Sequence, residues 1–225
     1  MVITATDSNL LRLLQLSSVS LPVGGYAFSQ GMEYAIDRGW VKKQQEVEDW
    51  ISVQLHQSLA RMDLPILRLC LEACRSQSSE RLEELNQLVL ACRETKELRL
   101  NDTAMGEALS RLMQSLEIPS PFTRSQDVSF VCLFALVCHH WQIPFELAAL
   151  GFTWSWLENQ VAAATKLVPL GQTQAQQLLG TLQLDINEAI RLSKSITEDR
   201  VGAGLPSIAI ASSLHETQYS RLFRS

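Results

Sequence analysis

Charge is scarce in this chain. Asp, Glu, Lys and Arg make up 19% of its 225 residues, and Lys plus Arg number 19 against 24 Asp plus Glu, for a formal net charge of −5. The basic residues are scattered, so the chain lacks the basic stripe on which nucleic-acid binding rests. Proline and glycine are also sparse, at 7 and 10. That excludes collagen-like repeats and, with 46% hydrophobic residues, a chain that stays disordered. Cysteine is too sparse and too odd in number for a disulfide framework. Cys70, Cys74, Cys92, Cys132 and Cys138 sit inside apolar or helical-looking stretches instead of framing loops, which suits free thiols in a reducing compartment. The segment from Met1 to Asn9 has no basic region followed by an uninterrupted apolar run, and Asp7 falls early. A secretory leader is therefore not expected, and a cytoplasmic location is. The best membrane candidate, the uncharged stretch between Asp127 and Glu146, holds His139, His140, Gln142 and Pro144 in its second half. It reads as a buried helix, because a membrane span needs roughly 20 predominantly apolar residues.

What remains is a chain of the size that builds one core, expected as a single domain over 1–225. Apolar residues recur at helical spacing, as in Leu10, Leu13, Leu14 and Ser17, in Val47, Trp50, Ile51 and Leu55, and in Leu82, Leu85, Leu88 and Val89. Two-residue alternation is nearly absent. Caps are predicted at Ser8, at Asp63 before Leu64 and Pro65, and at Ser125 with Asp127 and Val128. Breaks are predicted at Pro22 to Gly25, Gly39, Pro119 to Pro121, Pro144, Pro169 to Gly171, and Gly202 to Pro206. The pattern predicts an all-α bundle of roughly eight to ten helices with no internal repeat.

Tests for chemistry return little. Gly24-Gly25 joins the first helix to a second predicted from about Tyr26 to Arg38, and suggests positive φ or close backbone approach. No Lys-Ser follows it to bind phosphate and magnesium. Of Cys132, Cys138, His139 and His140, one helix can present only Cys132 and His139 on one face, and no Cys-x-x-Cys pair completes a tetrahedral site. Cys70 and Cys74 fit a core face equally well. His215-Glu216 is half a zinc-protease signature, but Tyr219 stands where the second histidine belongs. His56 has no partner in a nucleophile motif, and Gly-x-Ser-x-Gly does not occur. No catalytic, cofactor or metal residue is assigned.

Two lone charges stand out. Lys166 is the only charged residue between Glu158 and Asp185; it must snorkel, find a carboxylate or lose its proton. Glu33 shares a stripe with Ser29 and Asp37, opposite Phe28, Met32, Ala35 and Ile36, which reads as a solvated face. The end of the chain is unusual, since Tyr219, Leu222 and Phe223 at helical spacing, beside Arg221 and Arg224, form an apolar stripe where termini normally fray. The stripe needs a surface, either the chain's own or a partner's groove.

Four blocks in order carry a resemblance over nearly the whole length. They are Ser20-Leu21-Pro22-Val23-Gly24-Gly25-Tyr26 with Ser29-Gln30-Gly31-Met32-Glu33; Cys92 to Arg99 with Asp102 and Gly106; Lys166-Leu167-Val168-Pro169-Leu170-Gly171-Gln172; and His215 to Ser225. Together they resemble the urease accessory protein UreF family. Ala175 and Ile208-Ala209-Ile210 depart from the family's usual glycine and aspartate near those positions. The resemblance implies an all-α, non-enzymatic adaptor without a cofactor that forms a homodimer and assembles with UreD (also called UreH) and with UreG, the GTPase that carries nickel. That complex would engage the urease apoprotein so that two nickel ions and a carbamylated lysine, its carbamate drawn from carbon dioxide, are installed. On this reading 207–225 is a partner-docking tail, and the partner-binding residues are Glu33, Lys166, His215, Glu216, Tyr219, Arg221, Leu222, Phe223 and Arg224. Glu33 and Lys166 are expected at the surface that meets the GTPase. The segment from His215 to Ser225 is expected to be mobile alone and to order on UreD, and the Phe152-Thr153-Trp154-Ser155-Trp156 region is a candidate for the dimer seam. The alternative is a metallochaperone that binds nickel itself through Cys132, Cys138, His139 or His215.

Overall fold

The computed structural model describes residues 7–123, 125–202 and 204–224. Ser225 and most of the segment from Met1 to Asn9 lie outside the described residues. Those described form helices and turns without a strand, as the 3.6-residue periodicity predicts.

The bundle is organised around α7 (Phe130–His140). Its residues from Phe130 to Cys138 are all buried, because a helix that is apolar on every side can only sit in the middle. It packs most extensively on α4 (Asp63–Arg75), and also on α6 (Lys96–Ser115). The α5 helix (Ser79–Ala91) covers the outer side of α4, and α8 (Phe145–Leu167) pairs with α9 (Gln172–Ser193). The remaining pieces are α1 (Asp7–Leu16) against α8, α2 (Met32–Asp37), α3 (Gln44–Gln54) running into a π-helical turn at Leu55–Leu59, and α10 (Pro206–His215), which lies against α2 and α6. No described helix is long and apolar enough to cross a membrane.

Helix boundaries depart from the sequence expectation where distant residues supply the cap. The stretch after Asp127 opens at Phe130, not at Ser125, because the carboxylate that accepts from its first amide belongs to Asp102 on α6. Asp102 Oδ1 accepts from Phe130 N at 2.8 Å, and both its oxygens accept from Ser129 Oγ, at 2.9 and 2.8 Å. Asn86 of α5 holds the same turn through Asp127 O at 2.9 Å and Ser129 N at 2.8 Å. Gly106 makes this approach possible, since a Cβ there would stand 2.0 Å from Val128 O. The break predicted at Pro144 is present, with α7 ending at His140 and α8 starting at Phe145. Asp63 is the first residue of α4 instead of its cap. It serves Arg93, which donates to it at 2.6 Å and to Asp102 at 2.8 Å. Burial opposes the guanidinium charge, but the adjacent Asp102 and Asp63 hold Arg93 above its usual pKa. Burial likewise pushes the Asp63 carboxyl up, against the pull of Arg93.

The second helix is also shorter than predicted. Gly25–Ala27 forms a 3-10 turn, Gln30 and Gly31 adopt positive φ (53° and 84°), and α2 begins only at Met32. Gly31 is where α10 crosses, and a Cβ there would lie 3.1 Å from Ala211 Cβ and Ser212 N. Both properties expected of the glycine pair are present. Gly24 has φ 75°, and Gly25 is packed so closely that a Cβ would meet Asn159 Nδ2 at 2.8 Å.

The cysteines are free thiols, and four of them are buried where α4 and α7 meet. Cys70 Sγ and Cys132 Sγ are 3.7 Å apart. Burial pushes Cys74 up to about 12, and the contact with Cys70 followed by burial raises Cys132. These are packing residues held as neutral thiols. Replacing Asp102 by alanine leaves the buried Arg93 with Asp63 alone and removes the cap of α7, so urea unfolding is expected to show a loss of about 3 kcal/mol or more. A loss below about 1 kcal/mol would contradict this account of the network.

Candidate functional site

The residues singled out from the sequence converge at the C-terminal end of the chain. His215, the last residue of α10, is completely buried between two carboxylates. Its Nδ1 lies 2.9 Å from Glu97 Oε2 in the first turn of α6, and its Nε2 lies 3.0 Å from Glu33 Oε2 on α2. Beyond His215 the chain leaves helical geometry and folds back over this pair. Leu222 N and Phe223 N donate to the two oxygens of Glu33 at 2.6 and 2.9 Å, and Arg221 donates to Glu97 at 3.0 Å. Arg224 N donates to Ala27 O at 2.8 Å, and its guanidinium stands over the Phe28 ring.

Glu33 is therefore not on a solvated face. It is only 7% exposed, and Ser29 of the same stripe is fully buried. The helical wheel failed here because residues 222 and 223, remote in sequence, cover Glu33 and because Ser29 precedes the helix, while Asp37 of the same stripe stays exposed. Lys166 resolves its three options by snorkelling: the side chain is exposed, with Nζ 5.4 Å from the centroid of the Phe223 ring, a cation–π contact.

The expectation of a mobile terminal segment is likewise corrected, because residues 216–224 lie docked on the chain's own surface. The expected helical stripe of Tyr219, Leu222 and Phe223 does not form. Phe223 is 5% exposed, whereas Tyr219 is wholly exposed and Leu222 mostly so. With α10 ending at His215, the three side chains cannot share a helical face. Glu216 follows directly and raises the Glu97 carboxyl further, although burial is the larger cause of that rise. A shallow groove beside the tail is lined by Tyr34, Asp37, Arg38, Leu214 and Tyr219.

The sequence reading quoted Glu97 within a block but missed its role. Nothing within α6 pairs with Glu97, and its partners lie more than a hundred residues away. The metal candidates are not gathered: Cys132 and Cys138 are buried inside α7, and His139 is exposed at its end. His215 turns its two nitrogens toward carboxylates on opposite sides, so they do not share one ion. Among the described residues, no group of three or more His, Cys, Asp or Glu could hold a metal ion. His56 pairs with Asp185 at 3.3 Å. A cavity of about 100 Å³ lies beside the Arg93 network, lined by Asp63, Asn101, Asp102, Phe152 and Gln160 among others. The Trp156 of the proposed seam donates to Gln30 at 2.9 Å from the neighbouring surface.

Relatives are similar to this chain over nearly its whole length. The urease accessory protein UreF of Marinomonas sp. (strain MWYL1) is 73% identical over 223 residues, which span 99% of this chain and 97% of that protein. This chain belongs to the UreF family. The family model itself matches residues 41–183, and so includes Glu97 and Lys166 but neither Glu33 nor the tail. The UreF proteins of Alkalilimnicola ehrlichii (46% over 216 residues, 95% of each chain) and Hahella chejuensis (44% over 218 residues, 96% and 98%) are similar over most of the chain as well. Urease accessory work is thus the role carried by the family name.

Phe223→Ala removes the buried anchor of the tail. Amide exchange across 217–224 is expected to accelerate at least about tenfold while exchange in α4 and α7 stays unchanged. Unaltered exchange in the tail would mean that Phe223 does not hold it.

Proposed function

We propose that this chain is a non-enzymatic adaptor that assembles with UreD/UreH and the GTPase UreG and regulates GTP-dependent nickel insertion into the urease apoprotein in the cytoplasm. The observation that carries this reading is the two-sided tail. One side is fixed by Glu33, Glu97 and Phe223, while the other presents Ile210, Leu214, Tyr219 and Leu222 to solvent. An exposed aromatic beside aliphatic side chains, on a backbone already held in place, is the kind of surface that anchors a protein interface at low entropic cost. Membership in the UreF family, whose relatives are named urease accessory proteins, supports partners from urease maturation. UreD is the proposed owner of the groove that receives Tyr219 and Leu222, with Arg221 and Arg224 at its rim.

The side chains with catalytic potential are committed elsewhere, which supports a role in which partners supply the chemistry. His215 and His56 pair with carboxylates, and Asp63 and Asp102 hold Arg93. The metallochaperone alternative would hold nickel through Cys132, Cys138, His139 or His215, and the separation of these side chains, with His215 already engaged by two carboxylates, favours the adaptor. Glu33 acts in this reading by seating the tail, and Lys166 by covering Phe223 from the exposed side, where it also borders the surface offered to the GTPase. The adaptor acts as a homodimer, with the Phe152 to Trp156 region at its seam.

Co-expression with UreD and UreG, followed by mass measurement of the purified complex, tests this reading. All three proteins are expected to be recovered together. The pair of substitutions Tyr219→Ala and Leu222→Ala is expected to cut recovery of UreD at least about tenfold with helical content unchanged. A chain that binds neither partner contradicts the adaptor reading, and strict monomer sedimentation at high micromolar concentration contradicts the dimer.

A further inference from the structure

The hydrogen-bond geometry around His215 constrains its protons. A neutral imidazole has one N–H donor and one lone-pair acceptor. Here both ring nitrogens face carboxylate oxygens, at 2.9 Å from Glu97 and 3.0 Å from Glu33. If the ring were neutral, a lone pair would point at one of those oxygens, and a favourable contact would become repulsive. With both nitrogens protonated, Glu33 and Glu97 balance His215 and Arg221, and every carboxylate oxygen of the cluster has a donor.

We propose that the C-terminal tail is a proton-coupled latch: it is closed with a proton on each nitrogen of His215 and is released as rising pH removes one of them. The coupling reaches the tail through Glu33, whose carboxylate holds His215 with one oxygen while its two oxygens accept from the amides of Leu222 and Phe223. Loss of the ring proton on that side sets a lone pair against the same oxygen that holds the Phe223 amide. Loss on the other side disturbs Glu97, which carries Arg221.

The surrounding groups agree in sign. The α2 helix contributes Glu33, with Asp37, Arg38 and Tyr34 along the neighbouring groove. The α6 helix contributes Glu97, α10 and the tail contribute Glu216, Tyr219, Arg221 and Arg224, and α8 contributes Lys166 over Phe223. In the closed form each ring N–H of His215 meets a carboxylate oxygen, whereas in the open form it meets water, so closure favours the ring that carries both protons. By linkage, a group that binds protons more tightly in the closed form favours closure as pH falls and opposes it as pH rises. The inference rests on the geometry of the tail alone, independently of the partners proposed above.

The test uses the full-length chain labelled with 15N. Between about pH 6 and about pH 9, a range in which histidine titration is accessible, the amide resonances of Leu222 and Phe223 are expected to move together from low-field, carboxylate-bonded positions to those of a free chain. His215→Gln, which cannot titrate, is expected to abolish that movement. Should His215→Gln fail to fold, Glu97→Gln provides the second arm. Removing one of the two facing charges is expected to shift the opening to lower pH by about one unit or more. Resonances that stay fixed across the range in the unaltered chain, an unchanged titration in His215→Gln, or an unchanged midpoint in Glu97→Gln would each overturn the latch.

Discussion

A carboxylate taken out of water has to recover, from donors inside the protein, most of the hydration it gives up. In this bundle Glu33 and Glu97 meet that requirement with groups that all come from the last stretch of the chain: the His215 ring, the Arg221 guanidinium and two backbone amides. The dependence runs both ways. Without residues 216–224, Glu33 and Glu97 would be left to share His215 of α10 as their one donor among the described residues; without the two glutamates, the tail would keep Phe223 and the Arg224 contacts to Ala27 and Phe28. Breaking one side of such a pairing costs far more than the pair contributes when intact, so the terminal segment behaves as part of the fold while remaining at its surface.

The same logic operates a second time, deeper in the molecule, and one helix connects the two sites. Thr95 caps α6 by accepting from Leu98 N and shares a hydrogen bond of 2.7 Å with Ser212 of α10. In the first turn Glu97 holds the tail, and further along the same helix Asp102 binds Arg93 and caps α7. The N-terminal part of α6 thus ties the central helix of the core to the surface that a partner would meet. A displacement of the tail acts directly on the first turn of α6, which offers a short physical route between binding and the core.

The all-α class, the central apolar segment, the glycine turn and the buried thiols were legible because each follows from local periodicity or composition. Glu33, Glu97 and the start of α7 were not. Their partners lie far along the chain: Glu33 looks solvated on a helical wheel until residues 222 and 223 are placed over it, and Phe130 has no local cap because Asp102 provides one. Lys166 was legible as an unusual charge, and its snorkelling was among the options weighed, but the ring beneath it belongs to the tail. The sequence blocks singled out Glu33, Lys166 and the tail through family resemblance, while the contacts they make are ones that no single helix reveals.

The central claim is that the tail is seated on its own chain by Glu33 and Glu97 before any partner arrives. Nuclear Overhauser contacts in the isolated full-length protein at neutral pH test it most directly. The account predicts cross-peaks from the Phe223 ring to the side-chain methylenes of Lys166, with Leu222 and Phe223 amides shifted to low field by the Glu33 carboxylate. Random-coil shifts for 217–224 and no cross-peak to Lys166 would contradict it.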